Sequence, residues 1–248
     1  GYLVVASTSL GEARLYEPTN LGLVDTFAGL SSPQSVAAGP DGKLYVGQSS
    51  VIRTVDLMTK QTADIGGGLV SGSLYGTTVF ESKIYASGSG MASIKVLNLD
   101  GSDAGSVYIG NYSKLRTAAC RPRVYLSLAA VTGSNRQHWS PGLVYDKAFG
   151  GGGLSSAFGV GVRSTGDVLI ATQNNSAYYV FAQDGTYKKS VAVACPSQIR
   201  NIAVDCADSV YIGCYSANKV VRFDAADAYS TEVAVTSPAG VAILPALP

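Results

Sequence analysis

Ser32–Ile52 reads SPQSVAAGPDGKLYVGQSSVI. A short run of small apolar residues, Val36-Ala37-Ala38, leads into Pro40-Asp41-Gly42, and a second apolar run, Leu44-Tyr45-Val46, leads out into a polar loop. Asp-Gly between two apolar runs is a hairpin signal, because the tight turn needs a residue that tolerates positive φ. The same arrangement recurs at Leu74–Thr78 with Lys83-Ile84-Tyr85 and at Leu115–Ala119 with Val124-Tyr125-Leu126. Two further copies lie at Ala157–Gly161 with Asp167-Val168-Leu169 and at Ile199–Ala203 with Val210-Tyr211-Ile212. Anchored on Pro33, Leu74, Leu115, Ala157 and Ile199, the pattern returns every 41 or 42 residues.

A strand-rich repeat of that length predicts an all-β β-propeller with one four-stranded antiparallel sheet, or blade, per repeat. The N-terminal stretch holds three strand candidates, Tyr2–Ser7, Ala13–Glu17 and Val24–Ala28, and lacks the small-residue strand that opens every later repeat. That strand stands at the other end, Pro238–Leu244, in phase with the repeats. The reading is therefore a single domain over 1–248 with six blades. Blade 1 combines 1–30 with 237–245, and the others follow at 31–70, 71–112, 113–154, 155–196 and 197–236. The C-terminal strand joins the N-terminal blade and closes the ring, covering edges that an open sheet would expose.

Within a blade, the first strand is small and apolar (VAAG, TTVF, TAAC, GVGV, IAVD, VAIL) because inner strands converge and crowd. The second carries a tyrosine (Tyr45, Tyr85, Tyr125, Tyr211), and the third ends on an acid, as at Asp56, Asp100, Asp146 and Asp224. Such an acid closes the next turn by accepting backbone N–H groups. The fourth repeat departs from the others. Its third strand is placed at Val144-Tyr145-Asp146, so 129–142 reads as a long inserted loop holding the single His, His138, and the single Trp, Trp139. Long loops in compact domains are enriched in function.

Composition sets broad limits. Charged residues are 14% of the 248 and the net charge is +1, so no global field argues for nucleic acid or an anionic membrane. No window is apolar for the roughly 18 residues of a membrane helix, so no membrane insertion is expected. A start at Gly1 without Met, few Lys and Glu, and many Ser, Thr, Gly and Ala point to a processed or excised part of an exported protein, extracellular or periplasmic. Cys120, Cys195, Cys206 and Cys214 have no metal-binding spacing and read as buried small hydrophobes. One pair can approach. A hairpin pairing Val204 with Val210 puts Cys214 beside Arg200, and Cys195 lies at that same end, whereas Cys206 sits at the opposite turn.

The runs Pro33–Val46 and Ser216–Asp224 (SANKVVRFD) resemble NHL-type and YVTN-type propeller repeats. The resemblance covers nearly the whole chain and implies a gluconolactonase-like architecture. It specifies no activity, since such propellers include lyases, lactonases, RNA binders and adhesins. An amidating-lyase-like site needs several His, and the chain has one. A gluconolactonase-like site needs Glu, Asn and Asp at the axis to hold a cation. The residues opening the inner strands here are Gln34, Tyr75, Arg116, Phe158, Arg200 and Ala239, none of them a carboxylate. No Ser-His-Asp set can be assembled around His138. No catalytic residue, metal or cofactor is therefore assigned, and the reading leans away from an enzyme.

What remains is a non-enzymatic binding or assembly module of an exported or cell-surface protein. The alternative is a metal-dependent lactonase- or lyase-like hydrolase with a degenerate site. Loops entering first strands and loops joining second to third strands open on one face of a propeller. Arg116, Arg200 and the 129–142 loop with Arg136, His138 and Trp139 are expected there, with Tyr75, Phe158 and Gln34 on the rim. Two guanidiniums beside aromatic rings suit a carboxylate, a sulfate or a sugar acid, and Trp139 suits a sugar ring or a neighbouring protein. The expected partner is a protein, an anionic small molecule or a glycan within a larger assembly, with no nucleic acid.

Overall fold

The computed structural model describes residues 1–108, 157–173, 175–196 and 198–244 in full, and the strands at 114–119, 124–129, 136–139 and 145–149 as backbone. The strands number β1 to β24 in chain order and form four-stranded sheets of consecutive strands: β4–β7, β8–β11, β12–β15, β16–β19 and β20–β23. A further sheet takes the order β24-β1-β2-β3, so the last strand, Pro238–Leu244, hydrogen-bonds to the first, Tyr2–Ser7. Side chains are described for five of these blades, against the six of the repeat count. The remaining sheet, β12–β15, is described by its strands alone.

Two compact units result: Gly1–Leu115 with Ala239–Pro248, and Arg116–Pro238. In the first unit, the space between the β24-β1-β2-β3 sheet and β4–β7 is filled by Val4, Leu15, Phe27, Val36, Leu44, Val55 and Leu244. In the second, Leu169, Tyr178, Val180, Ile202, Ile212, Val221 and Phe223 fill the space between β16–β19 and β20–β23. The core is thus laid down between blades. This explains why the second strands, β5 (Lys43–Gly47), β9 (Lys83–Ser87), β17 (Val168–Thr172) and β21 (Val210–Cys214), read as unbroken apolar runs: both their faces are covered. Outer strands such as β11 (Asp103–Tyr108) and β19 (Tyr187–Ala192) are polar and exposed.

First strands are small because they nearly touch. A Cβ on Gly159 of β16 (Ala157–Val162) would meet the Ile202 nitrogen of β20 (Ile199–Val204) at 2.9 Å. One on Gly240 of β24 would lie 2.9 Å from the Ser35 Cα of β4 (Ser35–Ala38). The third-strand acids act as expected. Asp56 accepts from the N–H of Met58 and Thr59 at 3.0 and 2.8 Å, Asp100 from Ser102 at 2.9 Å, and Asp224 from Ala226 and Ala228 at 2.9 Å. Asp146 lies in β15, where only backbone is described.

The long loop of the fourth repeat is corrected. Arg136–Trp139 forms β14, pairing Val124 with Trp139, Tyr125 with His138 and Leu126 with Gln137. The expected third strand, Val144-Tyr145-Asp146, falls at the start of the fourth, β15 (Tyr145–Phe149), which is bonded to β14. The physical reason is local. Arg-Gln-His-Trp contains no breaker and pairs normally with β13. Polarity alone had made a strand look like a loop.

Candidate functional site

The described features with most chemistry lie in the second unit, where β20 begins. Val204 pairs with Val210 as expected, but the ladder shifts between Ile199 and Asn201, so Cys214 faces Ile199 and Arg200 is the extra residue of a bulge. The same shift occurs in β16 between Ala157 and Gly159, where Phe158 is the extra residue. A bulge leaves its extra residue outside the ladder and re-aims its side chain. The consequences differ with chemistry. Phe158 is 2% exposed, so it is packed inside rather than presented on a rim, a correction to its expected place. Arg200 stays half-exposed and lays its guanidinium 3.8 Å above the ring of Tyr215, the first residue of the β21–β22 loop.

Among the described residues, no carboxylate pairs with Arg200, and its buried Nε has no hydrogen-bond partner. Other cations of the unit are matched: Lys188 by Asp167 at 2.6 Å and Lys219 by Glu232 at 2.8 Å. A guanidinium stacked on an aromatic ring is held in place at low cost in hydration and keeps its edge for a planar anion. The stack is anchored from below. Cys195, in the segment leading into β20, is disulfide-bonded to Cys214, next in sequence to Tyr215, with Cα atoms 5.5 Å apart. The Tyr215 N–H also donates to the Gln198 carbonyl at 3.1 Å. Cys206 is exposed and unpaired, and Cys120 lies outside the described residues.

The side chains of Arg116, Arg136, His138 and Trp139 also lie outside the described residues. Gln34 and Tyr75, both half-buried, belong to the first unit, at the starts of its inner strands. There the Leu74 N–H donates to the Gln48 carbonyl at 3.0 Å, so the segment entering a first strand and the loop after a second strand meet at one end of their blades.

At the far end of the second unit a buried ion pair joins two blades. The Asp227 carboxylate, 4% exposed, receives Arg163, itself 8% exposed, the Tyr178 hydroxyl, and Lys189 at 2.7 Å. Burial alone would raise the Asp227 carboxyl, but Arg163, Lys189 and Tyr178 outweigh it and hold the group down at about 2. Burial, reinforced by Asp227, pushes the Tyr178 hydroxyl well above the ordinary phenol value. Two other tyrosines use turn acids as hydrogen-bond acceptors. Tyr45 donates to Asp41 and Tyr211 to Asp205, each at 2.9 Å, and burial with Asp205 raises Tyr211 to about 12. These carboxylates are consumed by structure. Among the described residues, no three His, Cys, Asp or Glu side chains gather as a metal site. The described arrangement at Arg200 can therefore hold an anion, and it offers no proton-transfer pair beside it.

Comparison with solved structures adds the fold. A chain of the nidogen/laminin complex superposes with a TM-score of 0.81 at 14% identity, over 97% of each chain. A protein of unknown function from Bacteroides caccae gives 0.75 at 10%, over 98% of each. Hydrazine synthase of Kuenenia stuttgartiensis gives 0.72 at 15%, over 98% of this chain and 86% of that one. The fold is a β-propeller. No family model matches the chain, so the NHL- and YVTN-type resemblance stays a resemblance, and no curated protein matches it in sequence.

Tyr215, Gln48 and the Asp227 network were not singled out from sequence. Tyr215 carried one usable signal, its position directly after Cys214 in the loop opposite Arg200. Asp227 carried none, since the side chains that bury it come from another blade.

Proposed function

We propose that the chain is an exported binding and assembly module that engages an anionic group, a carboxylate or sulfate on a protein or glycan, at Arg200. The observation that carries this reading is the half-exposed guanidinium of Arg200, stacked on Tyr215 and lacking an acidic partner among the described residues. Arg116, with Arg136, His138 and Trp139 of β14, extends the same binding region within the second unit. The Cys195–Cys214 disulfide supports export, since such bonds persist in oxidising compartments. The likeness to a chain crystallised in a nidogen/laminin complex supports a protein partner.

The test pairs binding with stability. Sulfate, acetate and glucuronate are titrated into the parent, Arg200→Met and the double variant Arg116→Met/Arg200→Met, with thermal melts alongside. Loss of anion binding at an unchanged melting temperature supports the reading. A variant that melts lower while binding every anion as the parent does would make these arginines structural.

A further inference from the structure

Strand β24 fills a place in the first unit but is reached from the second. The chain arrives at Pro238 from β23 (Tyr229–Ala234), and the boundary between the units falls between Pro238 and Ala239. In its sheet β24 stands at the end of the order, and its one hydrogen-bonded neighbour among the described strands is β1. A first strand such as β4 is tied to its second strand by the turn at 39–42, whereas β24 and β1 are far apart in sequence. The place itself is apolar and closely fitted. Ala239, Val241 and Leu244 are buried, Leu244 packs with Val4 and Val36, and Gly240 lies against the Ser35 main chain.

The link into β24, Val235-Thr236-Ser237, is held away from extended backbone. Asn218 clamps it, its carbonyl accepting from the Val235 N–H and its side-chain oxygen from the Ser237 N–H, both at 2.9 Å. Ser237 has a φ of 48°. Residues other than glycine rarely adopt that conformation, and one that precedes a proline is driven toward extended backbone. Ser32, before Pro33, has a φ of 50°, but the strand that follows it, β4, is bound into its own hairpin with β5. Straightening Ser237 instead releases the whole of β24. We propose that the β1 edge is an interaction surface for β24 of a second copy of this chain, two copies exchanging that strand reciprocally. A second copy's β24 meets the same Val4, Val36 and β1 edge as the chain's own, so the two arrangements differ in the hinge. Exchange lets Ser237 extend, and short strained hinges favour it. Closure within one chain is favoured by an effective concentration in roughly the mM range, so the exchanged pair forms when chains fold at high concentration. The surface is independent of the Arg200 anion site, and either can fail alone.

The experiment refolds the full chain, half of it labelled with 15N, from urea with its disulfide intact, at about 10 and about 500 μM, and reads the products by native mass spectrometry. The expected result is a mixed-label dimer that grows with concentration and survives dilution, because its reversal needs β24 to unpair. Two hinge variants should move it in opposite directions. Ser237→Gly takes the same φ without strain and should lower the dimer-to-monomer ratio at least about threefold. Asn218→Gly tolerates the φ of 52° found at Asn218 but removes the side-chain clamp, and should raise the ratio. A Gly-Ser-Gly-Ser insertion after Ser237 should leave monomer, and it stands in for Asn218→Gly if that variant does not fold. The proposal is overturned if the parent stays monomeric at both concentrations, if its dimer falls apart on dilution, or if the ratio is the same in the parent and in every hinge variant that folds.

Discussion

Asp227 joins two blades through one buried carboxylate, and its protonation gives a test with a definite sign. Its folded value near 2 lies below the ordinary 3.8, so its contribution is complete above about pH 4 and is lost as pH falls toward 2. A shift of that size corresponds to about 2 kcal/mol. Acid titration of the unfolding free energy should show this loss in the parent, and Asp227→Asn should flatten it. At neutral pH the same variant should cost about 3 kcal/mol by urea melt, because Arg163 then loses its charge partner in a buried setting. Gly159 tests the crowding of the first strands. Its Cβ would press on the Ile202 main chain, which cannot rotate away, so Gly159→Ala should cost roughly 1–3 kcal/mol in the same assay.

At the scale of elements, the β20–β21 hairpin with its disulfide is the most informative. The bond spans 19 residues, for which loop entropy predicts a stabilisation of about 3 kcal/mol. Cys195→Ala/Cys214→Ala should lose about that much in a denaturant melt. It should also weaken sulfate binding, if Tyr215 is held under Arg200 through Cys214. The hairpin shows what the sequence could yield. Its two strands and turn are readable from Val204, Asp205 and Val210, because period and turn chemistry are local. The bulge at Arg200 is not, because an extra residue in a ladder leaves no mark on composition, and Phe158 shows that the same bulge can bury or present a side chain. The fourth repeat failed for a different reason. Strand β14 has no apolar alternation, so only its pairing with β13 and β15 reveals it. At the candidate site, the place of Arg200 near the start of β20 was legible in advance, whereas its stacking partner depended on which loop returns beside it.

Over the whole molecule, the 41- or 42-residue period carried the architecture, since each repeat is one sheet and cores form between sheets. The pairing of β24 with β1 was foreseeable from phase alone. Deleting 237–248 should cost several kcal/mol or prevent folding, because it bares the inner edge of β1 and removes Val241 and Leu244 from the core; a thermal melt of the truncated chain decides it. That pairing also sets a timetable during synthesis. β1 leaves the ribosome well before β24, its partner, has been made. At roughly 5–20 residues per second, β1 waits on the order of 10 to 50 seconds for β24. During that interval its hydrogen-bonding edge is open to any other nascent strand. Crowded polysomes translating this message should therefore be its most aggregation-prone setting, and slower elongation between β1 and β24 should lower the soluble yield.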